Sequence, residues 1–479
     1  MKVLLINPPY EEGKTIERRN RCTRLDPHGW IHPPLPLMYI SSVLKEKKIK
    51  DIKLIDCIAE KINIDKLRTI IQEFQPNLVI SWTGSFSYKI DIKALEIVKQ
   101  INPKITTIVV GTDVVTAYPE KFLSTDFIDF AITSEAELAI SDFVEYINKK
   151  RKLKDIRNIG YKSKTGKQIL NKQETIKNPD KIPFPDRDII NNDNYRGFPF
   201  LSDKFTDIMT GRGCPFKCTF CTAGTYWGNK SRLRSPENVL EEFKQCVHKY
   251  EIKKFFLLDE TFSLNPKRAI DICNLLIKEN LDIQWGCETR VDLINDELIN
   301  KMSKAGCVYL HFGVESGSQK VLDFIKKGIT VEQIHIAFKL CKKYKIETCA
   351  TIIVGTPVDT WDDYHKTIKL MKEINPDYIA ISPFIPLPGS PSFKQFKEMG
   401  ILKEGEFSEY VKPNIMFKPL YLTEEEIKKE YKKAWRYLSF RPRYISAHIY
   451  KAIKKRDLRY AKEATKAAGW IISTFLRAK

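Results

Sequence analysis

The chain has 479 residues, of which 43% are hydrophobic and 11% aromatic, so it has enough apolar material for packed cores and is not a disordered protein. This length favours two or three domains of about 100–200 residues each. The net charge of +20, from 80 Lys and Arg against 60 Asp and Glu, predicts an anionic partner. Nucleic acid, a membrane surface and an acidic substrate all remain open.

No segment has the composition of a transmembrane helix. The longest nearly apolar run, residues 467–476, has ten residues, about half of the ~20 needed to cross a bilayer. The N-terminal apolar run is too short for a signal peptide and predicts a strand. We therefore expect a cytoplasmic protein, with peripheral membrane contact open, whose eleven cysteines are thiols or metal ligands rather than disulfides.

Residues 1–150 alternate between strand and helix patterns. Short β-branched runs predict strands at residues 3–7, 53–56, 78–81, 107–111 and 129–132. Helix-length segments lie between and after them, at residues 37–46, 64–74, 90–101 and 135–148. This rhythm predicts an α/β, doubly wound (Rossmann-like) domain, whose ligands bind beyond the carboxyl ends of the strands. Residues 151–200 are basic, with a cluster of Pro, Asp and Asn, and predict a linker.

A second alternating region occupies residues 201–400. Its predicted strands are residues 207–211, 254–259, 282–287, 308–313, 348–354 and 378–382. Helix patterns fill the gaps, which predicts a complete or partial (β/α) barrel. Residues 401–479 predict a basic helical tail, because residues 424–479 contain 16 Lys and Arg against 6 Asp and Glu.

The most specific motif is Gly-Arg-Gly-Cys-Pro-Phe-Lys-Cys-Thr-Phe-Cys, which directly follows the first of these strands and contains Cys214, Cys218 and Cys221. Three thiolates on a loop can converge on one metal centre, and three ligands suit a [4Fe–4S] cluster with one open iron. Three unrelated buried cysteines are one alternative. A zinc site is another, but it needs a fourth ligand, and the nearest downstream candidates, Cys246 and His248, lie in a helix pattern.

The Cys-x3-Cys-x2-Cys spacing, with an aromatic residue before the last cysteine, resembles the radical S-adenosylmethionine (SAM) superfamily over about residues 205–390. The resemblance implies that Cys214, Cys218 and Cys221 bind the cluster. It also implies that the open iron binds the amino and carboxyl groups of SAM, which is cleaved reductively to a 5′-deoxyadenosyl radical.

Further segments at the predicted strand ends resemble the SAM-binding segments of that superfamily. The residues that the resemblance assigns to SAM are Asp259, Glu260, Glu288, Arg290, Gly313, Glu315, Ser316 and Gly355. Arg290 is placed to meet a carboxylate. Each match is weak alone, because a strand-end acid is often a turn or helix-capping residue, but the matches follow the cysteines in barrel order.

The first domain resembles the N-terminal domain of cobalamin-binding radical SAM enzymes. The residues that the resemblance assigns to cobalamin are Asn7, Thr83, Ser85, Gly111, Thr112, Ser134 and Glu135. The Asp-x-His-x-x-Gly motif is absent, which implies that no protein histidine binds the lower face of cobalt. Thr112 and Ser134 replace glycines of the family, so a weakened or lost cobalamin site remains open.

The basic tail interleaves cations with aromatic residues, a pattern that serves nucleic acid, an anionic membrane surface or simply a solvated helix. The apolar ending at residues 470–476 favours a bilayer over nucleic acid. Residues 437–445 also resemble the tail of cobalamin radical SAM enzymes that act on lipids and porphyrins, which implies a hydrophobic substrate.

These observations predict a cobalamin-dependent radical SAM enzyme that methylates an unactivated carbon of a lipid-like, tetrapyrrole-like or natural-product substrate. A low-potential donor such as ferredoxin or flavodoxin would supply the electron. A radical cyclase or carbon–carbon or carbon–oxygen bond-forming enzyme remains an alternative. A cluster-containing nucleic-acid-binding protein is a more distant one. No residue is assigned as a general acid or base.

Overall fold

The computed structural model describes residues 1–10, 15–18, 23–26, 31–85, 87–111, 113–197, 200, 203–403, 405, 415–439 and 446. The chain forms two compact units. The first comprises Met1–Arg196, Arg212–Pro215 and Thr222–Arg234. The second comprises Gly197–Gly211, Phe216–Cys221 and Ser235–Lys479.

The first unit contains nine strands and seven helices among the described residues up to 196. The strands are β1 (Lys2–Asn7), β2 (Thr15–Arg18), β3 (Thr23–Asp26), β4 (Asp51–Asp56), β5 (Leu78–Thr83), β6 (Thr106–Gly111), β7 (Phe130–Ile132), β8 (Ile159–Lys162) and β9 (Gln168–Leu170). The helices are α1 (Leu35–Glu46), α2 (Ile64–Phe74), α3 (Tyr88–Asp91), α4 (Lys93–Ile101), α5 (Asp113–Ala117), α6 (Pro119–Leu123) and α7 (Ala136–Ile147).

Seven of these strands form one sheet in the order β4-β1-β5-β6-β7-β8-β9. The pairs from β4 to β7 are parallel, which confirms the doubly wound domain. Every residue of β5 is buried, and so are five of the six residues of β1, because helices cover both faces of the sheet. The chain order reverses between β1 and β5, which is where a sheet of this kind opens a crevice for ligands.

The first unit differs from the sequence-based expectation at several points. The antiparallel pair β2–β3 was not expected. The segment expected to be a linker contains β8 and β9, which extend the sheet as antiparallel strands. The helix expected at residues 90–101 is divided into α3 and α4, with Ile92 between them.

From residue 205 onward the chain continues with eight strands and nine helices among the described residues. In chain order they are β10 (Phe205–Ile208), β11 (Gly211–Arg212), α8 (Ala223–Trp227), β12 (Arg232–Leu233), α9 (Pro236–Tyr250), β13 (Lys254–Leu257), α10 (Pro266–Glu279), β14 (Gln284–Thr289), α11 (Asp296–Lys304), β15 (Cys307–Glu315), α12 (Gln319–Phe324), α13 (Val331–Lys343), β16 (Glu347–Val354), α14 (Trp361–Ile374), β17 (Tyr378–Pro383), α15 (Pro391–Glu398) and α16 (Glu424–Ser439).

The second unit is built on a six-stranded parallel sheet in the order β10-β13-β14-β15-β16-β17, a partial barrel. Alternate residues of β15 face in opposite directions. Leu310, Phe312 and Val314 pack into the apolar core shared with the helices. Their neighbours His311 and Gly313 are only partly buried and point to the other side of the sheet. The sheet therefore presents one polar face, which includes Glu288 and Gly313 among the residues assigned to SAM.

The basic, aromatic stretch of the tail lies almost entirely outside the described residues, because α16 ends at Ser439 and only Ser446 is described beyond it. Among the helices that the structure describes, none is both long and apolar enough to span a bilayer.

Candidate active site

The loop after β10 carries the three cysteines of the motif. Cys214, Cys218 and Cys221 are partly exposed, whereas the other seven cysteines of the described residues are buried, and none of the ten forms a disulfide. In the same part of the chain no three His, Cys, Asp or Glu side chains are arranged to hold a metal ion. That finding concerns a single ion, whereas the three cysteines of a [4Fe–4S] cluster each bind a different iron. Their accessibility and their three sulfur donors fit a [4Fe–4S] cluster.

Asp259 fixes the start of the cysteine loop. Its Oδ1 accepts hydrogen bonds from the backbone N–H groups of Thr210 (2.6 Å) and Gly211 (3.1 Å). Its Oδ2 accepts one from the Thr210 hydroxyl (2.5 Å). Arg268 donates to the Thr210 carbonyl oxygen at 2.7 Å. Burial raises the pKa of Asp259, while Arg268 and these hydrogen bonds lower it. The carboxylate assigned to SAM from the sequence thus holds the backbone that leads to the cysteines.

Two cations lie beside Cys218. Arg290 Nη1 is 4.0 Å from the Cys218 sulfur, and its guanidinium lies 3.7 Å from the centre of the Phe216 ring. Burial raises the pKa of the Cys218 thiol, and the charges of Lys327 and Arg290 oppose that shift. Arg290 also binds the Asp292 carboxylate, at 2.9 and 3.0 Å. Positive charge beside a cysteine favours the thiolate form that binds metal.

The end of β15 contains a buried ion pair. Glu315 Oε1 lies 2.6 Å from Lys327 Nζ, with 6% and 8% of the two side chains exposed. The Glu315 backbone has a φ of 63°, in the left-handed region that residues other than glycine rarely occupy. A Cβ at Gly313 would clash with Glu315 Oε1 and lie 2.5 Å from Lys327 Nζ, so a larger residue there would displace the charged pair. The pair places a carboxylate and an ammonium group at the carboxyl end of the barrel.

The adjoining loops fix the remaining residues assigned to SAM. The Ser316 hydroxyl lies 3.1 Å from the Thr367 hydroxyl of α14. Gly355 has a φ of +81° and donates its N–H to Asp359 Oδ2 at 2.8 Å. Glu260 is partly exposed just after Asp259. These residues therefore lie at the ends of β13, β15 and β16, as a barrel site requires.

A row of polar side chains crosses the neighbouring strands β14, β15 and β16. Glu288 is the register partner of His311 on the neighbouring strand. Glu288 Oε1 lies 3.9 Å from His311 Nδ1, and His311 Nε2 lies 2.5 Å from the Thr351 hydroxyl. Glu288 was assigned from the sequence, whereas His311 and its second partner Thr351 were not.

In the first unit, polar side chains occupy the carboxyl ends of β1 and β5. Asn7 donates to Asp56 Oδ1 at 2.8 Å, and the Thr83 hydroxyl donates to Asp91 Oδ2 at 2.9 Å. Ser85 is buried. The hydroxyl of Ser81, also on β5, is buried and has no hydrogen-bond partner among the described residues. An orphaned hydroxyl below a polar strand edge fits a ligand that offers amide groups.

Strands β6 and β7 of the same sheet end in close backbone packing. At Gly111 a Cβ would strike the carbonyl oxygen of Thr83, so this position must stay glycine. The Ser134 hydroxyl donates to the carbonyl oxygen of Tyr226 at 3.2 Å. Thr112 lies outside the described residues.

Glu135 belongs to a buried charge network rather than to an open pocket wall. Its carboxylate binds Arg232 and lies 3.3 Å from Arg212, which also binds Glu137 at 2.5 Å. Burial raises the pKa of Glu135 against both cations. The Arg212 guanidinium also lies 5.0 Å from the centre of the Trp227 ring. This network anchors Arg212, two residues before Cys214, and no local pattern of residues indicates it.

Comparison with known proteins agrees with this arrangement. The family model of the radical SAM superfamily matches residues 208–371. An uncharacterized methyltransferase of Pyrococcus horikoshii is 34% identical over 454 residues, covering 94% of this chain and 95% of the relative. The anaerobic magnesium-protoporphyrin IX monomethyl ester cyclase of Rubrivivax gelatinosus is 29% identical over 420 residues, covering 86% of this chain and 73% of the relative.

The fold is shared with a solved structure of the same architecture. The cobalamin-dependent S-adenosylmethionine radical enzyme OxsB, with aqua-cobalamin and S-adenosylmethionine bound, matches with a TM-score of 0.72 at 19% identity. The match covers 99% of this chain and 75% of that one. With the cysteine loop, the partial barrel and the doubly wound unit in place, the chain belongs to the radical SAM superfamily, in the family of the Pyrococcus horikoshii methyltransferase.

Proposed function

We propose that this enzyme is a C-methyltransferase that transfers a methyl group from SAM, by way of cobalamin, to an unactivated carbon of a hydrophobic substrate. The observation that carries the proposal is the combination of an accessible three-cysteine loop with a doubly wound unit whose strand ends are polar. The similarity over 95% of a relative named as a methyltransferase supports the reaction type.

The cofactors of the family are a [4Fe–4S] cluster, SAM and cobalamin. When bound, the cluster supplies the electron that cleaves SAM, and cobalamin carries the methyl group. In our proposal Cys214, Cys218 and Cys221 hold the cluster. Asp259 keeps the loop in position through Thr210, and its role toward SAM is then indirect.

The charged groups at the end of β15 suit the zwitterionic part of SAM. Lys327 and Arg290 can neutralise a carboxylate, and Glu315 can accept hydrogen bonds from an amino or hydroxyl group. The ion pair between Glu315 and Lys327 keeps both groups ordered before SAM binds. A larger residue at Gly313 would crowd the charged pair, and one at Gly355 would crowd the side chain of Ile427.

For cobalamin, we assign the polar edge of the first unit. Asn7, Thr83 and Ser85 would face the amide groups of the corrin ring. Ser81 joins them, because its buried hydroxyl has no partner among the described residues. Thr112 stays a sequence-based prediction. Ser134 and Glu135 form internal contacts, so we assign them to shaping the site rather than to binding the corrin.

The substrate class follows from the tail and from the relatives. The tail resembles that of enzymes acting on lipids and porphyrins, and a relative named as a magnesium-protoporphyrin ester cyclase aligns over 86% of this chain. A lipid-like or tetrapyrrole-like substrate, peripheral contact with a membrane and an external low-potential electron donor all follow from this proposal.

The product ratio tests the reaction. Enzyme reconstituted anaerobically with iron, sulfide and hydroxocobalamin is incubated with trideuteromethyl-labelled SAM, a reductant and a lipid extract. Methylation yields S-adenosylhomocysteine and 5′-deoxyadenosine together. The product should be about 17 mass units heavier than the substrate, because a CD3 group replaces one hydrogen. 5′-Deoxyadenosine without S-adenosylhomocysteine would contradict methyl transfer.

A radical cyclase is the second candidate, because the cyclase of Rubrivivax gelatinosus is 29% identical over most of this chain. An enzyme of this kind would use the two units of this chain without methyl transfer. A substrate-dependent rise in 5′-deoxyadenosine with no deuterium in the product would favour this candidate.

A further inference from the structure

Three segments of the second unit meet at Thr219, inside the cysteine loop. The Thr219 N–H donates to the carbonyl oxygen of Ile325 at 2.9 Å, at the end of α12. The Thr219 carbonyl oxygen accepts from the N–H of Ser392 at 2.8 Å, in the first turn of α15. The loop, the α12–α13 turn and α15 are therefore fixed beside one another by backbone hydrogen bonds.

Each of these segments carries an exposed lysine next to the junction. Lys217 lies two residues before Thr219, Lys326 follows Ile325, and Lys394 lies two residues after Ser392. We call Lys217, Lys326 and Lys394 the loop-flank lysines. The side chain of Lys394 is 82% exposed.

Acidic groups near the junction offset this charge only in part. Glu398 lies 3.8 Å from Lys394 and is itself 66% exposed, so solvent screens the pair. Asp323 accepts a hydrogen bond from Gln319 on its own helix. Exposed Lys397 adds a further positive charge on α15. The net character of the junction is therefore positive.

This positive surface adjoins Cys218, the cysteine that lies beside Arg290 and Lys327. Cys218 stands between Lys217 and Thr219 and is partly exposed. Each SAM cleavage consumes one electron, and the electron must reach the cluster from a donor outside the enzyme. A donor that docks on the loop-flank lysines would approach along the exposed side of the cysteine loop. Opposite charge also speeds such encounters, by about 10-fold to 1,000-fold.

We propose that the loop-flank lysines form the docking surface for an acidic one-electron carrier protein of the flavodoxin or ferredoxin type. The proposal rests on the function proposed above and adds the surface through which the enzyme is reduced. One electron passes from the reduced carrier to the cluster, and no atom or proton is transferred. The carrier is oxidised by one electron each time.

The test compares a protein reductant with a small one. The variant Lys326→Glu/Lys394→Glu reverses two of the three charges and leaves the loop sequence intact. The matched control is Lys278→Glu/Lys304→Glu, which makes the same charge change on exposed lysines in the last turns of α10 and α11, before the amino ends of the strands. Formation of 5′-deoxyadenosine is measured with reduced flavodoxin and separately with dithionite.

We expect the first variant to lose about tenfold in flavodoxin-driven rate at low salt. It should stay within about twofold of the unmodified enzyme with dithionite. The control pair should behave like the unmodified enzyme with both reductants. An equal loss with both reductants, or no loss with flavodoxin, would overturn the proposal.

Direct binding separates this proposal from the proposed function. Oxidised flavodoxin is titrated into the reconstituted full-length enzyme, which requires no SAM cleavage. We expect salt-sensitive binding that the Lys326→Glu/Lys394→Glu variant weakens and the control does not. If that variant instead loses binding to phosphatidylglycerol vesicles while flavodoxin binding is unchanged, the surface serves a membrane and the proposal is wrong. Absence of SAM cleavage with dithionite would refute the proposed function alone.

Discussion

Asp259 offers a test of whether a strand-end carboxylate binds SAM or holds the cysteine loop. In the structure it accepts two backbone hydrogen bonds at Oδ1, from Thr210 and Gly211, and the Thr210 hydroxyl at Oδ2. Asn at this position keeps Oδ1 for both backbone donors, and the Thr210 hydroxyl can rotate to accept from the new amide group. Ala removes both acceptor oxygens and with them all three hydrogen bonds.

The expected magnitudes differ widely between the two variants. In Asp259→Ala two buried N–H groups lose their partner, at about 1–3 kcal/mol each. Their sum of about 2–6 kcal/mol shifts the equilibrium of the cysteine loop by about 30-fold or more away from the conformation that Asp259 holds. Asp259→Asn should cost far less, because the same donors stay paired.

Iron content after anaerobic reconstitution is the assay, with SAM affinity as the second readout. We expect Asp259→Asn to retain iron within about twofold of the unmodified enzyme and Asp259→Ala to lose most of it. The reasoning would be refuted if both variants kept their iron and Asp259→Asn weakened SAM binding alone. That outcome would return Asp259 to direct contact with SAM.

Three further predictions follow from the site. Glu315→Gln and Lys327→Met should each lower the free energy of unfolding by about 3–5 kcal/mol in urea melts, because each leaves a buried charge unpaired; the double variant should lose less than the sum, and strict additivity would contradict the pairing. Burial raises the pKa of Asp359 from 3.8 to about 6, so its contribution to stability is present below pH ~4 and is lost as the pH rises through 6. As the pH rises from 4 to 6.5, the melting temperature of the unmodified protein should therefore decrease relative to that of Asp359→Asn. A constant difference between the two melting temperatures would contradict this role of Asp359. Cys218→Ser should reduce bound iron from about four per chain to less than one, whereas Cys246→Ala should retain it; equal losses would contradict a cluster held by the three cysteines of the motif.

Most strands of the two main sheets could be predicted because their apolar runs are local. The buried runs at β1 and β5 and the alternation in β15 identify strands without knowledge of their neighbours. The strands β8 and β9 could not be predicted from local pattern. β8 has only four residues, one of them a glycine, and β9 has three, is partly exposed and lies at the edge of the sheet. A short edge strand carries almost no hydrophobic pattern to distinguish it from a linker.

The partners of the site residues could not be predicted, since they are set by tertiary contacts. Lys327 is one of 80 Lys and Arg residues, and only the fold reveals that it is buried against Glu315. Asp259 carries the same local pattern whether it binds a ligand or a loop, and its partner Thr210 is 49 residues away. The cysteine motif differed, because its chemistry depends on spacing within eight residues of sequence.

Metal content tests the central claim most directly. The full chain is purified anaerobically, reconstituted with iron, sulfide and hydroxocobalamin, freed of unbound metal and analysed for iron and cobalt. The account predicts about four irons and one cobalt per chain. Four irons without cobalt would contradict the cobalamin-dependent mechanism while leaving the radical SAM barrel, and a chain without iron would contradict the account as a whole.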